Sequence, residues 1–525
     1  MKKNILWNIL YILIFLMMLA GEVFAVVTVI SLDMLPTSFL IALIGVLAVF
    51  SVGVGLLLFI KGKGSGKIRR IIASVLAVIL ICGCTAIGTV ATDVMKTLQA
   101  TSREFFDLPT REIYVLTDNS AQDLKETGGY TYGYLKNYDE SCTNQVLDRI
   151  RAEAGSHVTT AGYVDIATMV SSLLEGRIDA MILNGGIVSI LEDTEEFMDF
   201  SAKTRVLEQL RVEEAEQLPV EVTVPAEEED IYQENTEPTE PVVLDDPRTG
   251  EVDYAALEPF VVYVSGSDSH DTEIVKNSRS DVNILAVVNP LTKQILLINT
   301  PRDYYVENTA GGYQRDKLTH CGIYGTKCSM NTLGYLYGVD VEYFVRINFS
   351  GFKKLIDALG GVTVYSDYAF TAITRTPIAE GENHLNGQQA LDFARERVTV
   401  PGGDTERGRH QMQVITAVIE KATSGSTIIS NYSDIMASVE GMFHMNVPTE
   451  MISNLMKMQL SDMARWNVVS YSARGTYSSQ ECYSAPGLLL SVVEPSYSSV
   501  RKASRLIDMV YAGELLTEEV INSIV

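Results

Sequence analysis

The sequence predicts an α/β fold, in which a mixed β-sheet is sandwiched by helices, preceded by three N-terminal transmembrane helices and a small α/β accessory domain. Three observations predict it. Residues 5–91 are mostly apolar, and nearly all the acid of a chain with formal net charge -25 follows them. Beyond them, short β-type runs alternate with amphipathic helical runs. An acidic stretch with prolines separates these runs into two groups.

Three apolar stretches, residues 5–30, 38–60 and 71–91, are each near or above the ~20 residues that a membrane-spanning helix needs. Basic residues lie before the first and between the second and third: Lys2, Lys3, Lys61, Lys63, Lys67, Arg69 and Arg70. The turn between the first two carries only Asp33. The positive-inside rule therefore predicts a cytoplasmic amino terminus and an extracellular remainder. We expect residues 1–96 to form a multi-pass anchor in the cell membrane.

A cleaved signal peptide is an alternative for the first stretch, with Val23-Phe24-Ala25 as its cleavage site. The apolar run continues through Ile30 and two more spans follow, which favours an uncleaved anchor. Glu22 lies inside this run, where a carboxylate is costly unless it reaches water at the outer interface.

Residues 97–211 are predicted to form the accessory domain. Residues 113–116 and 178–183 have the pattern of strands, and residues 144–154 and 166–175 that of amphipathic helices. The run from Gly176 to Asn184 resembles a helix-to-strand passage of periplasmic solute-binding domains. A spacer or docking domain without a ligand is the alternative, and both stay open.

Residues 212–255 include Glu227-Glu228-Glu229-Asp230 and several prolines, and predict an extended acidic linker. The main domain follows at 256–425. Its predicted strands are residues 260–264, 283–288, 294–299, 343–348 and 362–365, with a hairpin turn at 289–293. Its predicted helices are residues 352–359, which Gly360-Gly361 should end, 387–397, which Asn386 or Asn383 should cap, and 405–422.

Residues 426–525 are predicted to pack on this domain as a C-terminal extension. Residues 449–460 and 499–512 have helical patterns, and residues 466–471 resemble a strand. Among the six cysteines, Cys321 and Cys328 are close in sequence, so a local disulfide and two free thiols are both open.

A cluster of arginines in this acidic chain indicates an anion-binding site. Residues 392–397 and 401–411 contain Arg395, Arg397, Arg407 and Arg409. Arginine suits phosphate because its planar fork donates bidentate hydrogen bonds and stays charged. Arg407 and Gln411 are four residues apart and share a helix face. The sequence therefore predicts a phosphate site.

The sequence segments around these residues match those of a known family. They include Ser265-Gly266-Ser267-Asp268-Ser269, Arg279-Ser280-Asp281, Thr300-Pro301-Arg302-Asp303, Lys317-Leu318 and Asn348-Phe349-Ser350-Gly351-Phe352, in the expected order. From about residue 259 to 421 the chain resembles the LytR-CpsA-Psr family. The resemblance implies a membrane-anchored enzyme of a Gram-positive bacterium. Such enzymes transfer glycopolymers, of teichoic acid or capsular polysaccharide type, from a polyprenyl-pyrophosphate carrier to peptidoglycan.

The resemblance also implies roles for single residues. Asp268 and Asp281 would bind Mg2+ (or Mn2+) at the pyrophosphate, and Arg302 would be catalytic. Asp303, adjacent to Arg302, is our own candidate for a second catalytic residue, which would orient or deprotonate the attacking sugar hydroxyl. The pyrophosphate would be held by Arg279, Lys317, Arg395, Arg397, Arg407 and Gln411. Fixed cations and a hard metal would offset the charge that builds on the leaving phosphate. The polyprenyl tail would need an apolar slot between sheet and helices.

Some positions depart from the pattern or stay open. His410 stands where many family members carry an arginine, and Arg409 could compensate only if the helix turned it inward. Asp404 could be the N-cap of the long helix. Arg346 could be a buried ion-pair partner or a ligand.

Two other functions are alternatives to catalysis. One is a polyprenyl-phosphate-binding or solute-sensing protein without turnover. The other is an envelope regulator of the transcription-attenuator type. The acidic outer part and the few basic residues inside the membrane disfavour contact with nucleic acid.

Overall fold

The amino-terminal part of the computed structural model is a bundle of three long helices. The structure describes residues 2–60, 66–101, 110–136, 138–155, 157–212, 257–267, 278–424 and 443–524. Helices α1 (Lys2–Leu32), α2 (Thr37–Phe59) and α3 (Gly66–Thr101) are each long and apolar enough to cross a membrane. Glu22 lies buried inside the bundle, where it accepts a hydrogen bond of 2.5 Å from Ser51 on α2. The Glu22 side chain is 8% exposed, so it does not use the access to water at the outer interface that its position allowed.

The accessory domain is a five-stranded sheet with helices against both faces. Its strands are β1 (Thr110–Leu116), β2 (Thr131–Leu135), β3 (Thr159–Tyr163), β4 (Ala180–Leu183) and β5 (Thr204–Arg211). Its helices are α4 (Glu140–Ala154), α5 (Ile166–Leu174), α6 (Val188–Glu192) and α7 (Phe200–Lys203). The strand order is β3-β2-β4-β1-β5. Strand β2 is parallel to both β3 and β4, whereas β1 is antiparallel to both β4 and β5. Successive residues of β1 enter opposite cores, Ile113 the core with Ile150 of α4 and Tyr114 the core with Met169 of α5.

The main domain has fourteen strands among the described residues. They are β6 (Phe260–Ser267), β7 (Ser280–Asn289), β8 (Gln294–Asn299), β9 (Tyr305–Asn308), β10 (Gln314–Lys317), β11 (Tyr343–Asn348), β12 (Val362–Ser366), β13 (Phe370–Thr371), β14 (Pro377–Ile378), β15 (Gly381–Leu385), β16 (Phe443–Met445), β17 (Asn467–Ser472), β18 (Gly475–Cys482) and β19 (Ala485–Pro495). Six of them form one sheet in the order β16-β11-β6-β7-β8-β17. The pairs β6–β11 and β8–β17 are parallel and the others antiparallel, so the sheet is mixed as predicted.

Helices cover both faces of this sheet. They are α8 (Leu318–Cys321), α9 (Thr326–Tyr337), α10 (Phe349–Ala358), α11 (Gly387–Arg395), α12 (Asp404–Thr423), α13 (Thr449–Asp462), α14 (Tyr497–Tyr511) and α15 (Glu518–Ser523). Alternate residues of β7 enter the two cores: Leu285 packs with Leu333 and Leu506 behind the sheet, and Ile284 with Met412 of α12 in front of it. The predicted α/β fold, a mixed sheet sandwiched by helices, is confirmed.

Residues beyond 425 supply both edge strands of the six-stranded sheet, β16 and β17. The C-terminal extension therefore completes the sheet, and α14 packs behind it. The antiparallel hairpin β18–β19 follows, and its register pairs Tyr477 with Val493 and Glu481 with Leu489.

Both other parts of the chain contact the main domain. The accessory domain does so through Tyr138, whose hydroxyl lies 2.7 Å from that of Tyr324, and through a shared apolar cluster that includes Ile323. The membrane anchor does so at the turn after α1, where Asp33 pairs with Lys457 of α13 at 2.7 Å.

Candidate functional site

A cavity of about 240 Å³ opens between the front of the six-stranded sheet and helices α10, α11 and α12. One part of its lining is polar and consists of Asp281, Arg302, Arg395, Arg397, Arg407 and Gln411. The other part is apolar and includes Val264, Ile347, Phe352, Leu391, Val414 and Ile415. The structure thus brings six of the predicted site residues together beside an apolar slot, which a polyprenyl tail would need.

Helix α12 places Arg407 and Gln411 because its apolar face packs on the sheet. Met412 is buried in the front core, and Gly408 lies against the end of β8. A Cβ atom at Gly408 would overlap the side-chain amide of Asn299, so only glycine permits this approach. Arg407, one residue before the contact, is thereby held near Arg302, which follows β8.

Arg302 joins the cavity to two carboxylates. Its Nη1 lies 2.8 Å from Oδ1 of Asp281 and its Nε 3.7 Å from Oδ2 of Asp303. Burial lowers the pKa of Arg302, but the fields of Asp281 and Asp303 outweigh it and the net shift is upward. The Nε atom is buried and finds no hydrogen-bond acceptor in the part of the chain that the structure describes. A charged donor in this state favours an anionic ligand.

The pKa of Arg407 is shifted in the opposite direction, downward. Burial lowers its pKa, and the like charges of Arg302 and Arg397 lower it further, against the opposing field of Asp404. Its Nη2 lies 2.5 Å from Oδ1 of Asp404. Mutual repulsion among these guanidinium groups would be relieved by a multiply charged anion such as a pyrophosphate. Arg395 is held over the ring of Phe349, 4.2 Å from its centroid.

Asp303 and Lys317 lie beside the cavity and are not part of its lining. Lys317 Nζ is 3.3 Å from Oδ1 of Asp303, whereas Arg302 approaches Oδ2. Asp303 is thus paired with two cations beside the cavity.

The donor set suits a hard divalent cation in part. Asp281 offers a carboxylate at the cavity, and the hydroxyl of Thr319 lies 3.5 Å from its Oδ1. Oxygen donors of this kind are those that magnesium and manganese prefer. Asp268, the second predicted ligand, lies outside the described residues. Asp281 therefore fits a metal ligand, and the pair remains a prediction.

Arg279 is not in the cavity lining. Its Nη1 makes an ion pair with Asp193 of the accessory domain. The side chain that the resemblance assigns to the pyrophosphate is thus held by another domain.

His410 and Arg409 face away from the cavity. His410 is fully buried between Phe370 and Phe393, and its Nδ1 lies 3.1 Å from the carbonyl oxygen of Phe393. Arg409 pairs with Asp367 at 2.6 Å and with Glu406 at 2.5 Å. Arg409 therefore does not replace the arginine that the chain lacks at position 410.

Two structural expectations need correction. Asp404 is the first residue of α12 and not its N-cap, which is Gly403, because the Asp404 carboxylate turns to Arg407. Arg346 is buried behind the sheet and donates to Ser278 and Thr326, so it is neither a cavity ligand nor, among the described residues, a recorded ion-pair partner.

Sequence reasoning missed two groups of residues. Phe349 and Phe352 line the cavity, and their spacing of three at the start of a helix was the available signal. Asp316, His320 and Cys482 are buried together, with His320 Nδ1 2.6 Å from Asp316. Asp316 also accepts from the backbone N–H of Ser484 at 3.1 Å, so this polar group ties β10 to the β18–β19 hairpin. Cys321 and Cys328 are free thiols.

Comparison with known proteins identifies the family of this chain. The model of the LytR_cpsA_psr family matches residues 224–493. A teichoic acid transferase of Enterococcus faecalis, named polyisoprenyl-teichoic acid–peptidoglycan teichoic acid transferase TagU, is 36% identical over 183 residues, which are 35% of this chain and 59% of the relative. TagU of Bacillus subtilis is 33% identical over 44% of this chain and 72% of its own length. This chain thus spans less than two thirds of the Enterococcus relative.

Two solved structures have similar chains. The crystal structure of B. subtilis TagU has 26% sequence identity and a TM-score of 0.38, covering 50% of this chain and 99% of its own. A structure described as TagT bound to LI-WTA has 23% identity and a TM-score of 0.38, covering 51% and 95%.

Proposed function

The chain belongs to the LytR_cpsA_psr family, and from this we propose that it is a membrane-anchored phosphotransferase that attaches glycopolymers to peptidoglycan. The donor would be a glycopolymer of teichoic acid or capsular type on a polyprenyl-pyrophosphate carrier. The names of the TagU relatives, which describe transfer of teichoic acid to peptidoglycan, support this class of reaction.

One observation carries the proposal: a single cavity has clustered arginines at one part of its wall and aliphatic and aromatic side chains at the other. A polyprenyl pyrophosphate has the matching composition, a multiply charged head on an apolar chain. Arg302, Arg397 and Arg407 bind the head through charge-assisted hydrogen bonds. The apolar wall removes the first isoprene units from water.

The reaction would be attack of a muramic acid hydroxyl on the carrier-linked sugar phosphate. A new oxygen–phosphorus bond forms, the bond between that phosphorus and the bridging pyrophosphate oxygen breaks, and polyprenyl phosphate leaves. Asp303 accepts the proton of the attacking hydroxyl. The arginines are already in place and offset the negative charge that develops on the leaving phosphate.

Asp281 would hold Mg2+ or Mn2+ at this site, together with Asp268 as the resemblance implies. When bound, the ion supplies further positive charge against the pyrophosphate oxygens. The basic residues before α1 and between α2 and α3 support a multi-pass membrane protein with its main domain outside. The relatives in Enterococcus faecalis and Bacillus subtilis support a Gram-positive cell membrane.

The test compares two arginines of the same helix. Arg407 lines the cavity, and Arg409, two residues later, pairs with Asp367 and Glu406 outside it. The full-length protein in detergent is assayed with a lipid-linked donor and peptidoglycan. We expect Arg407→Ala to lower the transfer rate about 100-fold or more, the usual effect of removing one group that stabilises the developing charge. Arg409→Ala should stay within about threefold, because its partners are exposed or partly exposed.

Arg302→Ala and Asp281→Ala should lose transfer as Arg407→Ala does. Equal rates for the Arg407 and Arg409 variants, with the folding of both verified by thermal unfolding, would sink the site assignment. A parent protein that retains the lipid-linked donor but forms no product would instead indicate a carrier-lipid-binding protein.

A further inference from the structure

The β18–β19 hairpin has an exposed face that no part of the proposed donor site uses. Residues 477, 479 and 481 lie on one face of β18 because side chains alternate along a strand. Their cross-strand partners on β19 are Val493, Ser491 and Leu489. Tyr477 is 70% exposed and Leu489 is 73% exposed, and Ser479, Glu481 and Ser491 are exposed as well.

This face begins beside the reaction centre. The backbone N–H of Val493, the partner of Tyr477, donates to the carbonyl oxygen of Asp303 at 2.7 Å. The hydroxyl of Tyr304 donates to the carbonyl of Arg474, just before β18, at 2.7 Å. Burial raises the pKa of Tyr477, and Asp404 and Asp303 raise it further, which agrees with a phenol close to the cavity mouth.

The hairpin is fixed in this place by packing and by a buried hydrogen bond. Leu488 and Leu490 alternate with the exposed residues and pack into the apolar cluster of the accessory domain. Asp316 accepts from the backbone of Ser484 in the hairpin turn. One face of the hairpin is thus covered by the accessory domain, and the opposite face stays open except at Val493, which is buried in the core behind the sheet.

The chemistry of the open face fits an uncharged sugar chain. A tyrosine ring offers an apolar face to the C–H groups of a sugar and a hydroxyl for hydrogen bonding. Ser479, Ser491 and Glu481 add hydroxyl and carboxylate groups that bind sugar hydroxyls. The distance from residue 477 to residue 481 along a strand is about 13 Å, which exceeds the width of one sugar ring.

A phosphate-rich donor polymer is the less suitable occupant. The exposed side chains of this face are Tyr477, Ser479, Glu481, Leu489 and Ser491, so the only charge among them is negative. Such a surface repels a polyanion. The donor polymer would be drawn to the arginines, which leaves the hairpin for the acceptor.

We propose that the exposed face of the β18–β19 hairpin is the acceptor subsite. There Tyr477 stacks on an N-acetylhexosamine ring of the glycan and so places the attacking hydroxyl of the glycan near Asp303. This rests on the proposed function, since it assigns the second substrate of the same reaction. Tyr477 is a binding residue for the acceptor and takes no part in holding the carrier.

The first experiment measures transfer by the full-length protein in detergent at saturating lipid-linked donor. The acceptor is a soluble tetrasaccharide of alternating N-acetylglucosamine and N-acetylmuramic acid, with its lactyl carboxylates amidated so that the glycan is uncharged. We expect Tyr477→Ala to raise the KM for the tetrasaccharide about tenfold, as loss of one aromatic contact does, with kcat and the donor KM within about twofold of the parent. Tyr477→Trp should restore the acceptor KM.

Tyr511→Ala is the matched control. Tyr511 is also exposed, but it ends α14 beside Asn289, at the opposite end of β7 from Asp281. Its acceptor KM should equal that of the parent. An acceptor KM that Tyr477→Ala leaves unchanged would overturn the subsite.

A binding measurement separates this proposal from the proposed function. Titration calorimetry of the tetrasaccharide into the parent, without donor, needs no turnover. Glycan binding that Tyr477→Ala weakens and Arg407→Ala leaves intact supports the subsite even if the parent transfers nothing. No binding by the parent, or equal binding by parent and Tyr477→Ala, overturns it.

Discussion

His410 lies between the rings of Phe370 and Phe393, with ring centroids 5.6 Å and 4.0 Å from its own. Burial lowers its pKa from the ordinary value of 6.5, although Glu406 acts in the opposite direction. A neutral, apolar-packed imidazole is thus a core residue. An arginine at this position would bring a permanent charge into the same buried place, unless the helix rearranged.

The folded protein should lose stability in acid because of His410. The unfolded chain takes up a proton at His410 near pH 6.5, whereas the folded state holds the ring neutral to a lower pH. The stabilisation is therefore present above the unfolded pKa and is lost as pH falls. We expect the thermal midpoint to drop between pH 7.5 and 5.5 by more in the parent than in His410→Phe.

His384→Phe is the control for this measurement, since His384 is exposed on β15. It should keep the pH dependence of the parent. If His410→Phe showed the same acid sensitivity as the parent, the titration would belong to other groups.

At this scale the sequence predicted a good part of the site. Helical spacing put Arg407 and Gln411 on one face, and both line the cavity. The resemblance selected Arg302, Arg395 and Arg397, which also line it. It could not predict that Arg279 turns to Asp193, because an ion pair between domains depends on how their surfaces meet.

At the scale of elements, α11 carries Arg395 in its last turn and begins with a capping box. The side chain of Asn386 accepts from the N–H of Gln389, whose side chain accepts from the N–H of Asn386, each at 3.0 Å. The sequence left Asn383 and Asn386 open as caps. Asn383 instead bonds to Ala379 in the preceding turn.

We expect Asn386→Ala to lower the free energy of unfolding by about 1 kcal/mol, the usual cost of losing an N-cap side chain. Asn386→Ser keeps an oxygen acceptor at the cap and should therefore retain most of the stability that the cap contributes. Urea unfolding measures both. Equal losses in the two variants would show that the cap hydrogen bond is not the cause.

Strong local sequence signals predicted the helices and the main strands, whereas an element with weak local signals was missed. Gly360 and Gly361 have φ values of 76° and 83° and end α10 as expected. The β18–β19 hairpin was missed, because β18 is rich in polar residues and its Tyr483-Ser484 turn lacks a glycine or asparagine signal. Its place is set by contacts with the accessory domain and Asp316, which local patterns do not encode.

At the scale of the whole molecule, the accessory domain contacts Arg279, a residue of the proposed donor site, through Asp193. We expect Asp193→Ala to release Arg279 toward the phosphates and to lower the donor KM by about twofold to threefold. The effect is small because the Asp193 side chain is 63% exposed and the ion pair is screened. Donor titrations in the transfer assay measure it.

Asp199→Ala removes an acid of the same domain that pairs with Lys203, four residues away in the sequence, at 2.7 Å. It should leave the donor KM unchanged. Arg279→Ala should cancel the effect of Asp193→Ala in the double variant, and an undiminished effect there would mean that Asp193 acts by another route.

The contact of Asp33 with Lys457 has a consequence for how the chain can evolve. Met34 and Val94 of the anchor pack with Met445, Ile452 and Met456 of the main domain beside this ion pair. The position of the main domain relative to the three helices is therefore fixed by folded elements that touch. A one-residue insertion or deletion in the turn after α1 would move Asp33 and Met34 away from these partners, so the two sides of this contact can change in sequence only together.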